Sequence, residues 1–231
     1  MTKNKKIAVY DLPIRIFHWL FAFLFLGAYI IAENIDDESV LFSYHIMAGL
    51  TIVFMLVLRI IWGVAGTTYA RFSSFKLKPI ELIQYFKDAI VKKTKRYLGH
   101  NPASSYAAIV MFISAFGLAI TGILMSSGNG NDFYEETHEL LANLFLITVI
   151  IHVGGIIYHH LKHKDSLWSS MLDGKKKSLP GASGINNMKT MTGIIFLVLT
   201  LSWMSYMYNQ YDNKTQTLNL FGTELSLGED H

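Results

Sequence analysis

One stretch decides the fold: His-Glu-Leu-Leu-Ala-Asn-Leu-Phe-Leu-Ile-Thr-Val-Ile-Ile-His, residues 138 to 152. The two histidines that bound it are 14 residues apart, which is close to four turns of an α-helix, so both imidazoles face the same way. At a rise of about 1.5 Å per residue they lie roughly 21 Å apart, most of the way across a hydrocarbon core of about 30 Å. A single membrane-spanning helix therefore offers one histidine to each of two metal centres at different depths.

The rest of the chain has the composition of an integral membrane protein. Of its 231 residues 52% are hydrophobic and only 16% are charged, and the mean hydropathy is positive, which argues against a soluble globular domain. Stretches of about 20 predominantly apolar residues, the length that spans a bilayer, occur five times: Leu12 to Ala32, Val40 to Ala65, Ser104 to Ser127, His138 to His160 and Met191 to Tyr208. The sequence therefore predicts an all-α membrane protein with five spanning helices.

The absence of cysteine narrows the chemistry. Iron–sulfur ligation, disulfides and covalent heme attachment all need cysteine, so any redox cofactor must be held by other ligands. The lysine-rich start precedes an apolar run, as in a secretory signal, but Asp11, Pro13 and Arg15 interrupt the pattern and no small-x-small cleavage site follows. We therefore expect the first helix to be retained.

Charge alternates along the chain in a way that predicts the topology. Lys and Arg cluster in the N-terminal tail, between the second and third apolar stretches and around residues 162 to 189, whereas the loops at 33 to 38 and 132 to 136 are acidic. By the positive-inside rule the basic segments are cytoplasmic. We therefore expect a protein of the bacterial inner membrane with its N-terminus in the cytoplasm and its C-terminus in the periplasm.

Two polar segments each have alternative interpretations. Apolar residues recur every three or four positions between Pro79 and Lys93, which is typical of an amphipathic helix on the inner leaflet or of a connector packed on the other helices. The outer tail, residues 209 to 231, is mildly acidic and contains the apolar run Leu218 to Phe221. This tail either docks an external redox protein or is disordered.

Four histidines fall at two matching depths. His18 and His152 lie one or two turns from the cytoplasmic ends of their helices, whereas His45 and His138 lie near the outer ends. Any single histidine in a membrane helix can simply hydrogen-bond a neighbouring helix, but ionisable groups at depth are rare and usually functional. The matching depths predict two metal-binding pairs, His18 with His152 and His45 with His138.

A histidine ligand does not by itself identify the metal, because imidazole binds heme iron, zinc and copper. A structural zinc site wants four ligands at one level, whereas two histidines per level suit the axial positions of a heme iron. Gly49 lies one turn from His45, where a flat macrocycle must come close to a helix. Ordinary tight helix packing explains such a glycine equally well.

Two arginines are candidate partners for the propionates of the inner heme. Arg59 lies 14 residues beyond His45, on the same face but at the cytoplasmic level, where a buried cation needs a partner. Arg15 lies one turn before His18 and either binds a propionate or extends to the inner headgroups. Three further histidines are interpreted as solvated interface residues and not as ligands: His159, His160 and His163.

Five strings in the chain are distinctive: Tyr-Asp-Leu-Pro-Ile-Arg-Ile-Phe-His-Trp at 10 to 19, Arg-Ile-Ile-Trp-Gly-Val-Ala-Gly at 59 to 66, Ala-Arg-Phe-Ser-Ser-Phe at 70 to 75, Gly-His-Asn-Pro at 99 to 102 and Met-Leu-Asp-Gly-Lys-Lys at 171 to 176. Together they resemble the prokaryotic cytochrome b561 family, which includes the membrane cytochrome b subunits of nickel–iron hydrogenases. The resemblance implies a four-helix transmembrane bundle with two b-type hemes. It assigns the same two histidine pairs that depth proposes. His100, in the fourth string, is not expected to bind a metal.

The resemblance also divides the chain. Residues 1–177 are expected to form the diheme four-helix domain, 178–190 a linker, 191–208 an extra transmembrane helix and 209–231 a periplasmic tail. The simplest members of the family lack the fifth helix, which leaves open whether this chain works alone or in a complex.

These features predict a diheme electron carrier in membrane lipid that exchanges electrons between the quinone pool and a redox partner on the periplasmic face. The partner is a c-type cytochrome or another redox subunit, and no nucleic acid is expected. The alternatives within this class are a hydrogenase cytochrome subunit and a stand-alone quinone reductase. A proton- or metal-transporting protein is the alternative of another class, although the sequence lacks the mid-membrane carboxylates that such relays usually need.

Overall fold

The structure, a computed structural model, describes residues 5–91, 93, 95–163 and 167–227. In chain order the helices are α1 (Leu12–Asn34), α2 (Ser43–Ala65), α3 (Pro79–Ile90), α4 (Pro102–Leu124), α5 (Asp132–His163), α6 (Ser170–Asp173) and α7 (Thr190–Gln210). Within the described residues α1, α2, α4, α5 and α7 are long and apolar enough to cross a membrane. The prediction of an all-α membrane protein with five spanning helices is confirmed.

Two of the distinctive strings begin helices. The Oδ1 atom of Asp11 accepts a hydrogen bond from the backbone N–H of Ile14 in the first turn of α1, and Oδ1 of Asn101 accepts one from Ser104 in the first turn of α4. Asp and Asn are favoured at this position because their side chains satisfy backbone donors that the helix leaves unpaired. Part of what makes the strings distinctive is therefore helix capping.

The chain forms two compact units, and each draws on several helices. The first, called the basic unit here, comprises Met1–Ile16, Arg59–Phe112 and Leu146–Ile194. The second, called the acidic unit, comprises Phe17–Leu58, Ile113–Phe145 and Ile195–His231. Every lysine and arginine except Lys214 lies in the basic unit, and most aspartates and glutamates lie in the acidic unit.

The basic unit is organised around the buried carboxylate of Asp11. This side chain is fully buried, and its Oδ2 atom accepts hydrogen bonds from Nε1 of Trp62 at 3.1 Å and from the hydroxyl of Thr67 at 2.6 Å. An apolar cluster packs around the same region, formed by Val9, Tyr10, Ile14, Ala70 and Leu98. The start of α1 is thereby fixed to the end of α2.

The segment between α6 and α7 is also fixed to the basic unit. Strand β1 (Lys6–Ala8) pairs antiparallel with β2 (Lys175–Lys177). Further along, the backbone N–H of Ile185 donates to Ala8, and the hydroxyl of Tyr69 donates to the carbonyl of Ser183 at 2.7 Å. Residues 178–190, expected as a linker, therefore run along the unit with hydrogen bonds to it.

The amphipathic segment forms α3, which ends at Ile90. None of its residues is buried, and the large apolar side chains on it are mostly exposed: Ile80, Ile83, Phe86 and Ile90. An exposed apolar face beside lysines favours the inner-leaflet interpretation over a connector packed on the other helices.

The outer tail folds into a small sheet in the acidic unit. Strands β3 (Tyr211–Asp212), β4 (Thr217–Leu220) and β5 (Thr223–Ser226) pair antiparallel in that order. Phe221 and Gly222 both have positive φ and form the two-residue turn of the β4–β5 hairpin, which is the geometry such turns require. The disorder alternative is therefore wrong for residues 211 to 226.

The sheet is anchored by buried apolar side chains. Leu218 and Leu227 are fully buried and pack with Leu225, Met47 and Met207. The backbone carbonyl of Leu227 accepts a hydrogen bond from the Ser43 hydroxyl. One hydrophobic core is therefore shared by the start of α2, the end of α7 and the sheet.

Candidate functional site

Two of the four predicted ligands lie close together in the acidic unit. His45 in the first turn of α2 and His138 in the second turn of α5 have ring centroids 6.2 Å apart, with the ring planes inclined at 61°. Imidazole nitrogens bind a transition metal at about 2 Å, so two nitrogens that share one metal lie about 4 Å apart. The centroid separation accommodates one metal atom between the two rings.

The tautomer of His45 follows from its hydrogen bond. Its Nδ1 atom lies 2.8 Å from the backbone carbonyl oxygen of Ala28 in α1. A carbonyl oxygen only accepts, so Nδ1 carries the proton and Nε2 keeps its lone pair. Metal-bound histidines are usually held in this way by a partner on the second nitrogen.

The ring of His138 is held by α4. Its Nδ1 atom lies 2.8 Å from Oγ1 of Thr121. The next residue, Gly122, faces the same ring, and a Cβ atom added there would lie 3.4 Å from Cε1 of His138. The ring thus has a polar partner at Nδ1 and close backbone on one side.

Gly49 borders open space. No heavy atom lies within 4 Å of the position that a Cβ atom would take there. Tight helix packing, one of the two explanations offered for this glycine, therefore does not account for it. The open space one turn from His45 fits the approach of a flat macrocycle, so the His45–His138 site suits a heme.

The other two predicted ligands lie in different units. His18 belongs to the acidic unit and has its ring 5.2 Å from that of Trp19. His152 belongs to the basic unit. Both side chains are half-buried, and their pairing stays a prediction.

Arg59 is buried in the basic unit, with 4% of its surface exposed. One of its guanidinium nitrogens donates to the carbonyl of Ala70 at 3.0 Å. Its guanidinium carbon lies 4.7 Å from the ring centroid of Phe72 and 5.6 Å from that of Phe112. The cation is therefore held by a carbonyl and two aromatic faces, and its role toward a propionate stays a prediction.

Arg15 is half-buried in the first turn of α1. Its guanidinium donates to the backbone carbonyl of Leu172. A Cβ atom added at the neighbouring Gly174 would lie 3.4 Å from another guanidinium nitrogen. The side chain thus packs along the basic unit, and binding of a propionate through its other donors stays a prediction.

His100 lies in buried surroundings that the sequence did not predict. Its Nδ1 atom is buried and has no hydrogen-bond partner among the described residues, and its ring lies 4.7 Å from that of Phe75. The pKa of His100 is lowered to about 3, chiefly by burial and in addition by the positive charges of Lys176 and Arg59. The Gly-His-Asn-Pro string at 99 to 102 marks this region as distinctive. From the sequence, however, only the capping role of Asn101 could be inferred, and the burial of His100 could not.

His100 also lines a cavity of about 260 Å³ in the basic unit. Two cationic side chains, Lys76 and Arg96, line the same cavity. Nζ of Lys76 lies 5.3 Å from the ring centroid of Tyr97. The basic unit therefore surrounds its buried imidazole with positive charge.

One interpretation of the histidines is wrong. His159 was expected to be solvated, but only 7% of its surface is exposed. It lies two turns beyond His152 on the same helix and so keeps the same inward face. His160 is half-buried, and the side chain of His163 lies outside the described residues.

Apolar helices of spanning length that bring the rings of His45 and His138 to 6.2 Å from each other form an arrangement typical of membrane b-type cytochromes. The family model for prokaryotic cytochrome b561 matches residues 9–174. The chain belongs to the prokaryotic cytochrome b561 family. It is a multi-pass membrane protein that binds heme b and takes part in electron transport.

Curated relatives agree with this assignment. The "Probable Ni/Fe-hydrogenase B-type cytochrome subunit" of Rhizobium leguminosarum bv. viciae is 26% identical over 217 residues, which cover 75% of this chain and 90% of the relative. The "Probable Ni/Fe-hydrogenase 1 B-type cytochrome subunit" of Escherichia coli (strain K12) is 23% identical, over 72% of this chain and 88% of the relative. No solved structure gives a significant match.

Proposed function

We propose that this chain is a diheme cytochrome in which His45 and His138 hold one heme and His18 and His152 hold the other. The observation that carries the proposal is the 6.2 Å separation of the His45 and His138 rings, with Nδ1 of each ring held by a hydrogen-bond partner. Within the described residues no group of three or more His, Cys, Asp or Glu side chains is placed to hold a metal ion. That absence favours two-ligand heme sites over zinc sites.

Bound heme would supply reversible one-electron chemistry, and the side chains around each site would tune it. In the acidic unit the rings of Phe21 and Phe25 pack on Phe145, with centroids 5.6 Å and 4.1 Å away. Such aromatic packing excludes water and lowers the local dielectric. The acidic unit thus supplies ligands, a fixed tautomer and an apolar environment.

The charge of the two units supports an orientation. The lysine-rich segments would face the cytoplasm of a bacterial inner membrane, and the acidic loops at 33 to 38 and 132 to 136 the periplasm, because positively charged segments stay on the cytoplasmic side. This orientation would put the N-terminus in the cytoplasm and the C-terminus in the periplasm. The His45–His138 heme is then the outer heme, and the His18–His152 heme is proposed as the inner one because these two residues lie toward the cytoplasmic ends of α1 and α5.

The relatives suggest the partner. Their names describe cytochrome subunits of nickel–iron hydrogenases, and the alignment covers nine-tenths of the Rhizobium protein. We infer that the chain exchanges electrons between membrane quinone and a hydrogenase-type redox partner at the outer face. A periplasmic c-type cytochrome is the alternative partner, and the exposed Glu139 beside His138 is the candidate proton donor to quinone.

Heme counting in the purified protein tests the proposal. We expect two hemes per chain in the wild type. His45→Ala and His138→Ala should each remove the same heme, and His152→Ala should remove the other. His160→Ala, on the same helix as His138 and His152, is the matched control and should keep both.

Three results would contradict the proposal. A colourless wild-type protein rules out heme binding, and a single heme per chain rules out the diheme arrangement. Loss of different hemes from the His45 and His138 variants rules out their pairing. Co-purification of a hydrogenase or of a c-type cytochrome from the native membrane distinguishes the two partners.

A further inference from the structure

Thr121 is a buried polar residue in α4 whose side chain reaches a predicted heme ligand. Only 6% of its surface is exposed. Its Oγ1 atom lies 2.8 Å from Nδ1 of His138, 2.9 Å from the carbonyl oxygen of Gly117 and 3.3 Å from that of Leu118. The hydroxyl therefore connects the backbone of α4 to an imidazole of α5.

The direction of these hydrogen bonds follows from counting protons. A hydroxyl carries one proton and two acceptor lone pairs. Both carbonyl oxygens can only accept, so the hydroxyl proton points to Gly117, the nearer of the two. The Thr121 oxygen then accepts the Nδ1 proton of His138, and Nε2 of His138 keeps the lone pair that a metal needs.

We propose that Thr121 is a positioning residue for the outer heme: it fixes the tautomer and the ring orientation of His138 and strengthens that imidazole as a ligand. The proposal rests on the proposed function, since it assumes that His138 binds heme. A hydrogen bond at Nδ1 raises the basicity of the ligating nitrogen. A more basic ligand stabilises the oxidised iron and lowers the reduction potential.

The two ligands of the outer site are held by different kinds of acceptor. His45 donates to a backbone carbonyl, which no substitution removes. His138 donates to a side chain, so its hydrogen bond can be removed and restored. Thr121 is therefore the position at which the tautomer of this site can be tested.

A purely structural role is the competing explanation, because threonines in membrane helices often bond back to a carbonyl one turn earlier. Thr51 and Thr200 do this in the acidic unit, with Oγ1 atoms 2.8 Å from Met47 O and 2.9 Å from Phe196 O. Both are almost fully buried. Thr200→Val thus removes the same back-bond, and it is the matched control for Thr121→Val.

The test compares Thr121→Val, Thr121→Ser, Thr121→Ala and Thr200→Val in the full-length protein with both hemes. Potentiometric titration and electron paramagnetic resonance read each heme separately. We expect Thr121→Val and Thr121→Ala to raise the potential of the outer heme or to lose that heme, with the inner heme unchanged. Thr121→Ser, which keeps the hydroxyl, should restore the wild-type signals, and Thr200→Val should match the wild type.

Several outcomes would overturn the proposal. An outer heme that behaves alike in Thr121→Val and Thr200→Val shows that the hydroxyl has no effect on the ligand. Equal losses in Thr121→Ser and Thr121→Ala assign the effect to the methyl group and hence to packing. If His138→Ala removes one heme while Thr121→Val does nothing, only this proposal fails; if His138→Ala removes none, the proposed function fails first.

Discussion

The basic and acidic units hold their histidines in contrasting surroundings. In the acidic unit His45 and His138 meet neutral acceptors, a carbonyl and a hydroxyl. In the basic unit the buried imidazole of His100 lies near the cations Arg59 and Lys176. If the proposed ligands bind heme, hydrogen bonds to the ligands would tune the outer site, and the cations of the basic unit would act on the inner one.

This difference has a direct electrostatic consequence. Reduction lowers the charge of a heme iron by one unit, so nearby cations favour the reduced form and nearby anions disfavour it. We therefore expect the inner heme to have the higher reduction potential of the two. In the proposed diheme arrangement, electrons delivered to the outer heme would then move downhill toward the inner one.

The units also differ in what stabilises them. The largest change in stability that we predict follows from removing the buried carboxylate of Asp11 in the basic unit. Asp11→Ala should lower stability by about 3–5 kcal/mol, because it leaves the buried donors of Trp62, Thr67 and Ile14 without their acceptor. Thermal unfolding in detergent, followed by tryptophan fluorescence, measures the loss. Asp37→Ala, an exposed carboxylate, is the control, and equal melting temperatures for the two variants would contradict the role of Asp11.

The acidic unit depends on apolar packing, and Leu218→Ala tests it. Leu218 is fully buried in the core that the sheet shares with Met47 and Met207, and truncation of a buried leucine costs about 2–5 kcal/mol. We expect a lower melting temperature and faster proteolysis within residues 211 to 226. Phe221→Ala, an exposed position, should change stability little. If Leu218→Ala is as resistant to protease as the wild type, packing of Leu218 is not what stabilises the sheet.

Sequence predicted the spanning helices well because burial in lipid demands long apolar runs and intrahelical hydrogen bonds. It placed His45 and His138 at the same level because their depth depends only on helix register and topology. It missed the terminal sheet, whose hairpin turn uses Phe221 with positive φ in place of the usual Asn. It also missed Asp11 and Thr121 as polar partners, because contacts between helices depend on helix rotation, which spacing along one segment does not specify.

Arg59→Leu sharpens the comparison of charges. Removal of a unit charge roughly 10 Å from a heme, at an effective dielectric of about 20, changes its reduction free energy by about 1–2 kcal/mol. We expect the potential of the inner heme to fall by tens of millivolts while the outer heme is unchanged. Arg59→Lys keeps the charge and should shift the inner heme less. Equal shifts in the reduction potentials of both hemes would contradict a location of Arg59 beside the inner heme.

The smallest effect concerns pH, and it is tested at His100 in the basic unit. The pKa of His100 falls from 6.5 to about 3 on folding because the site is buried, so between those values the unfolded chain binds a proton that the folded chain does not. Stability then falls as pH falls through that window, by under about 1 kcal/mol between pH 7 and 6. His100→Phe, neutral at every pH, should reduce the acid dependence of the melting temperature relative to the wild type. If the melting temperature of His100→Phe depends on pH as steeply as that of the wild type, His100 does not resist protonation in the folded protein. Charge would then distinguish the two units less than the hydrogen bonds to their histidines do.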